Sequence, residues 1–210
     1  LLNEGKSKNQ IFFVGNTMID SLCSLNEEFD NSKILENLFV EDEFALITMH
    51  RPSNVDNVNN IKSIVEAIID LSMIIKCIFP VHPRTMKVFK KLKLIDLINL
   101  EKNIILTNPL GYIDFMSLQK RASVVITDSG GVQEESTFFG VPCLTVRNST
   151  ERPITVSVGT NKIIGTSYDN IIDEVNHVLS KPFSKNKTPE LWDGKASLRI
   201  KEIVKNKILF

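Results

Sequence analysis

TDSGGVQEES, running from Thr127 to Ser136, is the stretch whose reading decides the fold. It follows the apolar run Ser123-Val124-Val125-Ile126, which reads as a buried strand. It leads into Glu134-Glu135-Ser136-Thr137-Phe138-Phe139, which reads as a helix. A strand ends, two glycines turn, and a helix starts. The first N–H groups of a helix have no intrahelical acceptor, so this arrangement suits an anion. Yet two carboxylates stand close to the start of the same helix. The ligand that satisfies the whole stretch offers phosphate to the glycines and something else to the acids.

Outward from this turn, strand-like runs alternate with helical periodicity. Apolar runs at residues 11–14, 44–49, 77–81, 103–106, 123–127, 143–146 and 162–164 read as seven strands. Pro80 weakens the third of them. Ile61, Ile64, Val65, Ile68 and Ile69 fall on one face of a helix, with Asn54 or Asp56 as its expected cap. Further helices are expected from about Met18, over residues 86–94 and 114–121, and around Ile171 to Leu179. Residues 181–193, with Pro182, Pro189 and Trp192, read as a polar surface crossing. A basic amphipathic helix is expected over 197–209, with Ile200, Ile203, Val204 and Ile208 as its apolar stripe. Continuously apolar strands alternating with helices mean an α/β fold, a parallel sheet with helices on both faces.

The 210 residues suffice for one sizeable core, or one domain with appendages. Basic and acidic residues balance at 25 each, so no nucleic-acid-binding surface is expected. No run reaches the roughly 20 apolar residues of a membrane span. The closest, residues 68–81, contains Asp70 and Lys76. No signal peptide is expected, and an opening without methionine fits a processed or excised piece. Cys23, Cys77 and Cys143 lack metal-ligand spacing. Cys77 and Cys143 lie in apolar runs and read as core residues in a reducing, cytoplasmic compartment.

In open α/β sheets, ligands bind beyond the carboxyl ends of strands. Asn16, His50-Arg51, His82 and Asp128 to Gly131 all follow strand-like runs, and their convergence on one rim says more than any single motif. Gly130 and Gly131 let the backbone approach a diphosphate that a Cβ would hold off. The stretch matches neither GxGxxG nor GxxxxGK[ST], and a tight turn without ligand gives the same pattern. A ribose diol is a fitting partner for an acid, since two neighbouring hydroxyls donate to one carboxylate. Glu135 lies one helical turn past Gly131, about 6 Å along the axis, roughly the step from a diphosphate to its ribose. Glu134 reads alternatively as a favourable charge near the helix start. Arg51 suits a diphosphate, and His50 beside it can steer a leaving group's charge. A capping histidine and a surface arginine would look the same, and His82 is similar. Phe115 can stack on a base, although an isolated phenylalanine is more often core. His177 has no assigned role.

Together the motifs "GNTMIDSL" (15–22), "HRPSNVDN" (50–57), "PVHPRT" (80–85), "TDSGGVQEE" (127–135) and "RNSTERP" (147–153) resemble those of the non-hydrolysing UDP-N-acetylglucosamine 2-epimerases. The resemblance covers essentially the whole chain, as the carboxyl-terminal half of that family. It implies the carboxyl-terminal, Rossmann-like domain of a glycosyltransferase-B fold. Residues 1–180 would be the UDP-binding domain, and residues 181–210 a crossing and terminal helix that packs on a missing amino-terminal domain. Ser129, Gly130, Gly131 and Glu135 would hold diphosphate and ribose, and Phe115 the uracil. Arg51 and His82 would contact the nucleotide or its phosphates. His50 would sit near the reacting centre. Thr150 to Pro153, with Arg152, would line the cleft, as would Glu134. Pro52-Ser53 and Ile154 depart from the commoner family pattern and bear on substrate preference.

The implied reaction interconverts UDP-GlcNAc and UDP-ManNAc by eliminating UDP to a glycal and re-adding it. It needs no nicotinamide, metal or other cofactor. The carboxylates that move protons would come from the missing domain, in a full-length protein expected to be a homodimer. A glycosyltransferase of the same fold, a hydrolysing 2-epimerase, and a catalytically silent nucleotide-binding half are the competing readings.

Overall fold

The computed structural model describes residues 1–180 and 188–207. The parts of the expected crossing and terminal helix at residues 181–187 and 208–209 lie outside them. In chain order the elements are α1 (Thr17–Ser24), α2 (Asn26–Asn31), α3 (Ile34–Asn37), β1 (Phe44–Thr48), α4 (Pro52–Val55), α5 (Val58–Leu71), β2 (Lys76–Pro80), α6 (Pro83–Lys91) and α7 (Leu94–Ile98). There follow β3 (Ile104–Thr107), α8 (Tyr112–Arg121), β4 (Val124–Thr127), α9 (Gly130–Phe139), β5 (Cys143–Thr145), α10 (Pro153–Ser157), β6 (Asn161–Ile163), α11 (Tyr168–Leu179) and α12 (Ala196–Lys207). Two compact units form, residues 27–188 and residues 1–26 with 189–210.

The larger unit is built on a six-stranded sheet in the order β3-β2-β1-β4-β5-β6, every pairing parallel. The inner strands β1, β4 and β5 are largely apolar because both faces are covered, whereas the edge strand β6 reads Asn161-Lys162-Ile163 with Lys162 exposed. Ala45, Ile47, Cys77, Phe79, Val124 and Ile126 pack with Ile61, Ile64 and Ile68 of α5, Phe89 of α6 and Ile171 of α11. The alternate residues Phe44, Leu46, Ile78 and Val125 pack with Ile34 of α3, Leu118 of α8 and Val132 of α9. Side chains alternate between faces along a strand, so one run feeds two cores. Fully burying an aliphatic side chain contributes about 1.5–3 kcal/mol. Pro80 closes β2 beyond Ile78, the last residue paired to β1, so an internal strand carries it.

The strands grow outward from β1 in one direction and from β4 in the other. The two meet side by side, with Thr48 opposite Thr127 in register. This is the switch point where an open parallel sheet leaves a crevice beyond its carboxyl ends. The segments after β1 and β4 therefore emerge as neighbours, and β2 delivers His82 alongside.

Several local expectations need correction. Residues 11–14 form no strand: Phe12 and Phe13 are exposed, and the run has no strand partner among the described residues. Asn16 consequently follows no strand but caps α1, its side chain accepting from the Met18 N–H at 2.9 Å. Helix α5 is capped by Asn57, which accepts from Asn59 and Asn60, not by Asn54 or Asp56. Pro52 starts a separate turn that draws Asn54 into the interior. The basic helix begins at Pro83 and breaks before α7, with Lys93 in the left-handed region at φ 57°.

In the smaller unit, Gly15 is left-handed, and a Cβ there would run into the carbonyl of Leu191. Asp20 accepts the N–H groups of Ala196 at 3.0 Å and Ser197 at 2.6 Å, capping α12 from a distant part of the chain. Leu198, Ile200 and Val204 of α12 are exposed. No helix among the described residues is long and apolar enough to cross a membrane.

Candidate functional site

The rim is organised by Asp128, the first residue after β4, which is wholly buried. Its carboxylate accepts the backbone N–H of His50 at 3.1 Å and of Arg51 at 2.8 Å. It also accepts the Asn54 amide at 3.3 Å and lies 3.1 Å from Nδ1 of His50. The post-β1 and post-β4 segments are thereby locked together. With Nδ1–H directed to Asp128, Nε2 of His50 is the nitrogen presented to a ligand. Asp128 was legible only as one polar residue at a strand end; its role as the hub was not.

His82 caps α6, Nδ1 accepting the Arg84 N–H at 3.2 Å. Its ring centroid lies 5.7 Å from that of His50. The two histidines expected at the rim therefore do meet there, both with Nδ1 engaged by protein.

Ser129 is the N-cap residue of α9, yet its side chain makes no capping hydrogen bond. Its N–H is donated to Thr127 Oγ1 at 3.0 Å. The helix therefore begins with N–H groups that no side chain caps. Helix α9 ends at Gly140, left-handed at φ 74°. Facing the helix start is Glu151, whose Oε1 would lie 3.1 Å from a Cβ built on Gly130. That carboxylate also meets Arg51 Nη2 at 2.8 Å and Arg147 Nη1 at 2.7 Å. A hydrogen bond from its own backbone N–H, opposed by burial, acts with the Arg147 and Arg51 guanidiniums to hold its carboxyl down at about 2. From sequence, Glu151 reads only as part of the Thr150–Pro153 stretch expected to line the cleft, and Arg147 only as the first residue of the 147–153 motif. Opposite charges four residues apart after an apolar run were the available signal.

One turn into α9, Glu134 and Glu135 are both buried. Glu134 Oε2 lies 3.0 Å from Arg152 Nε, an ion pair not aligned as a hydrogen bond. The Glu135 side chain has no hydrogen bond or ion pair among the described residues, and burial, then the neighbouring Glu134 charge, raises it to about 7. A poorly solvated acid of this kind marks a place where a polar ligand is wanted. Burial, and then the Glu135 charge, raises the Tyr112 phenol.

The 147–153 loop is tied to α9 by Gln133, which accepts from Thr150 Oγ1 at 2.5 Å and Asn161 Nδ2 at 3.1 Å. Phe115, half-buried on α8, packs against the core cluster that includes Leu118 and Val132. The structure thus brings His50, Arg51, His82, Ser129, Gly130, Gly131, Glu134, Glu135 and Arg152 onto one rim or its adjoining helix. Phe115 sits on the neighbouring helix α8. The rim offers a cationic pair, an uncapped helix start, two imidazoles and a desolvated carboxylate, a donor set that suits a diphosphate ester bearing vicinal hydroxyls.

Comparison with known proteins gives the same direction. The family model described as UDP-N-acetylglucosamine 2-epimerase matches residues 1–205. The UDP-N-acetylglucosamine 2-epimerase of Methanocaldococcus jannaschii is 40% identical over 210 residues, covering 97% of this chain and 57% of that protein. A UDP-2,3-diacetamido-2,3-dideoxy-D-glucuronate 2-epimerase of Pseudomonas aeruginosa is 35% identical, covering 96% of this chain and 55% of that protein. Among solved structures, the M. jannaschii enzyme in complex with UDP-GlcNAc and UDP superposes with a TM-score of 0.87 at 39% identity, over 98% of this chain and 57% of that one. The Neisseria meningitidis enzyme bound to UDP-GlcNAc gives 0.85 at 29%, over 98% and 58%. This chain therefore spans little more than half the length of the relatives it matches. Its sheet is that of the carboxyl-terminal domain of a glycosyltransferase-B fold.

Proposed function

The chain belongs to the UDP-N-acetylglucosamine 2-epimerase family, and we propose that it is the UDP-holding half of an enzyme interconverting UDP-GlcNAc and UDP-ManNAc. The observation that carries this is the start of α9: an uncapped helix end beside Arg51, followed one turn later by the desolvated Glu135. The diphosphate lies against Ser129, Gly130 and Gly131, Glu135 accepts the ribose hydroxyls, and Phe115 flanks the uracil. Arg51, Arg152 and His82 contact the nucleotide.

The reaction removes the proton from C2 and breaks the bond between C1 and the phosphate oxygen, leaving a glycal and UDP. UDP then returns to C1 while a proton enters C2 from the opposite face. His50 serves the departing oxygen. As imidazolium it keeps Nδ1–H on Asp128 and offers Nε2–H to the developing charge. Proton transfer at both faces of C2 needs acids and bases on opposite sides. Glu134 and Glu135 share one short helical turn and are engaged by Arg152 and ribose, so those groups belong to the rest of the full-length protein. The 2-epimerase of the P. aeruginosa relative acts on a different UDP-sugar, and an altered sugar with the same nucleotide clamp is the second reading.

We place the full-length enzyme in the cytoplasm, in keeping with three free cysteines, and propose that it acts there as a homodimer. The exposed stripe of α12 is covered there by the missing domain. Slower hydrogen exchange of residues 198–207 in the full-length protein than in residues 1–210 tests this, and equal rates refute it. For the reaction, UDP-GlcNAc is incubated with full-length protein and followed by NMR. UDP-ManNAc is the expected product. Free ManNAc indicates a hydrolysing enzyme, and loss of sugar only when an acceptor is added indicates a transferase.

A further inference from the structure

Glu151 stands where an incoming anion would bind. Its Oε1 is 2.8 Å from Arg51 Nη2 and would lie 3.1 Å from a Cβ on Gly130, the first residue of α9. Its Oε2 is 2.7 Å from Arg147 Nη1. One carboxylate thus uses, at once, two guanidiniums and the neighbourhood of a helix start, the groups that phosphate oxygens seek. Arg51 keeps one donor in reserve: Nε is buried with no hydrogen-bond acceptor among the described residues. The loop that carries Glu151 is anchored independently, through Thr150 to Gln133 and through the Arg152 N–H to Thr150 Oγ1 at 2.9 Å. Glu151 itself is about two-fifths exposed, so its side chain can turn outward without unfolding anything.

We propose that Glu151 is a built-in competitor for the diphosphate, holding Arg51 and Arg147 in place while the site is empty and giving up Arg51 when a diphosphate arrives. This rests on the reading of the rim as a UDP site. Two anions cannot share one guanidinium and one helix start without repulsion, so each binding event displaces Glu151 from Arg51 and each release restores it. The consequence is a weakened grip on the UDP portion, which favours release of nucleotide and of product. A purely structural Glu151 has the opposite signature, because removing it would disorder both arginines and weaken anion binding.

The test measures binding of inorganic pyrophosphate, UDP and uridine to the full-length protein as wild type, Glu151→Gln and Glu151→Ala, with melting curves to show that each is folded. Both variants are expected to bind pyrophosphate and UDP roughly threefold to thirtyfold more tightly, the effect of removing one nearby negative charge at a partly exposed site. Uridine affinity should not change. Equal or weaker pyrophosphate binding in both variants overturns the proposal, as does tightening of uridine to the same degree. If pyrophosphate tightens while UDP does not bind at all, Glu151 competes as proposed and the nucleoside reading fails. If UDP binds identically to all three proteins, the UDP reading stands and the competition is refuted. Absence of both pyrophosphate and UDP binding overturns both.

Discussion

Glu135→Gln should change UDP binding in a way that depends on pH. Burial, and then the charge of Glu134, raises Glu135 to about 7 in the empty site. Two ribose hydroxyls bond more strongly to an ionised acceptor than to a neutral one, so the clamp reaches full strength only above that value. At pH 8 about nine in ten sites are ionised, whereas at pH 6 about one in ten is. Hydrogen bonds to a charged group contribute roughly 1.5–3 kcal/mol, so at pH 8 the variant should bind UDP about tenfold to a hundredfold more weakly. The ratio of the two dissociation constants, measured by calorimetry from pH 5.5 to 8.5, should shrink toward unity at the acid end. Taking the ratio cancels the titration of UDP's own phosphate. Stability moves oppositely. Below its ordinary value of 4.5 the side chain is protonated in both folded and unfolded chains, and it contributes nothing. Between there and 7 the unfolded chain releases a proton that the folded chain retains, so stability falls as pH rises. Above 7 the deficit is constant at about 3 kcal/mol. Glu135→Gln should therefore raise the melting temperature at pH 8 and leave it nearly unchanged at pH 4. A binding ratio that is flat with pH, together with equal melting shifts at both pH values, would refute the ribose assignment and its electrostatic cause.

Asp128→Ala leaves the His50 and Arg51 N–H groups and the Asn54 amide without their buried acceptor. It should cost about 2–4 kcal/mol in urea denaturation, and an effect under about 0.5 kcal/mol would remove Asp128 as the hub of the rim. Asp20→Ala removes the acceptor for the first N–H groups of α12; at about 1 kcal/mol for a lost cap, exchange of residues 198–207 should quicken roughly fivefold. Residues 1–210 alone should not exchange deuterium into C2 of UDP-GlcNAc in D₂O, while the full-length protein should do so without added cofactor. Exchange by the shorter chain, seen by NMR, would place the proton-transfer groups within these residues.

Much of the architecture was open to reading from the sequence because it is written in local periodicity. Six of the seven expected strands exist; five are apolar runs of a few residues, and the sixth, the edge strand at Asn161–Ile163, is mostly polar. The exception, residues 11–14, shows the limit. Ile11-Phe12-Phe13-Val14 has strand-like composition, but a strand needs a neighbour, and sequence composition cannot say whether one is present. Cap positions were missed for a similar reason. Asn54, Asp56 and Asn57 are all suitable caps; Asn57 won because Asn54 is drawn inward to Asp128 and the carbonyl of Val146.

The same division runs through the site. Sequence alone determined that a strand ends at Thr127, that Gly130-Gly131 leads from it into a helix, and that Glu135 follows one turn later, since each depends on neighbours a few residues away; the structure places both glycines, read as the turn, inside the helix. Only the tertiary structure decided that Asp128 gathers the backbone of His50 and Arg51, residues 78 and 77 positions earlier. Only it placed Glu151 between Arg51, 100 positions away, and Arg147. Those contacts come from the order of strands in the sheet, which sets β4 beside β1 and β5 beside β4. Strand order is settled by the packing of two buried faces at once, a property of the whole chain that no short window of residues contains.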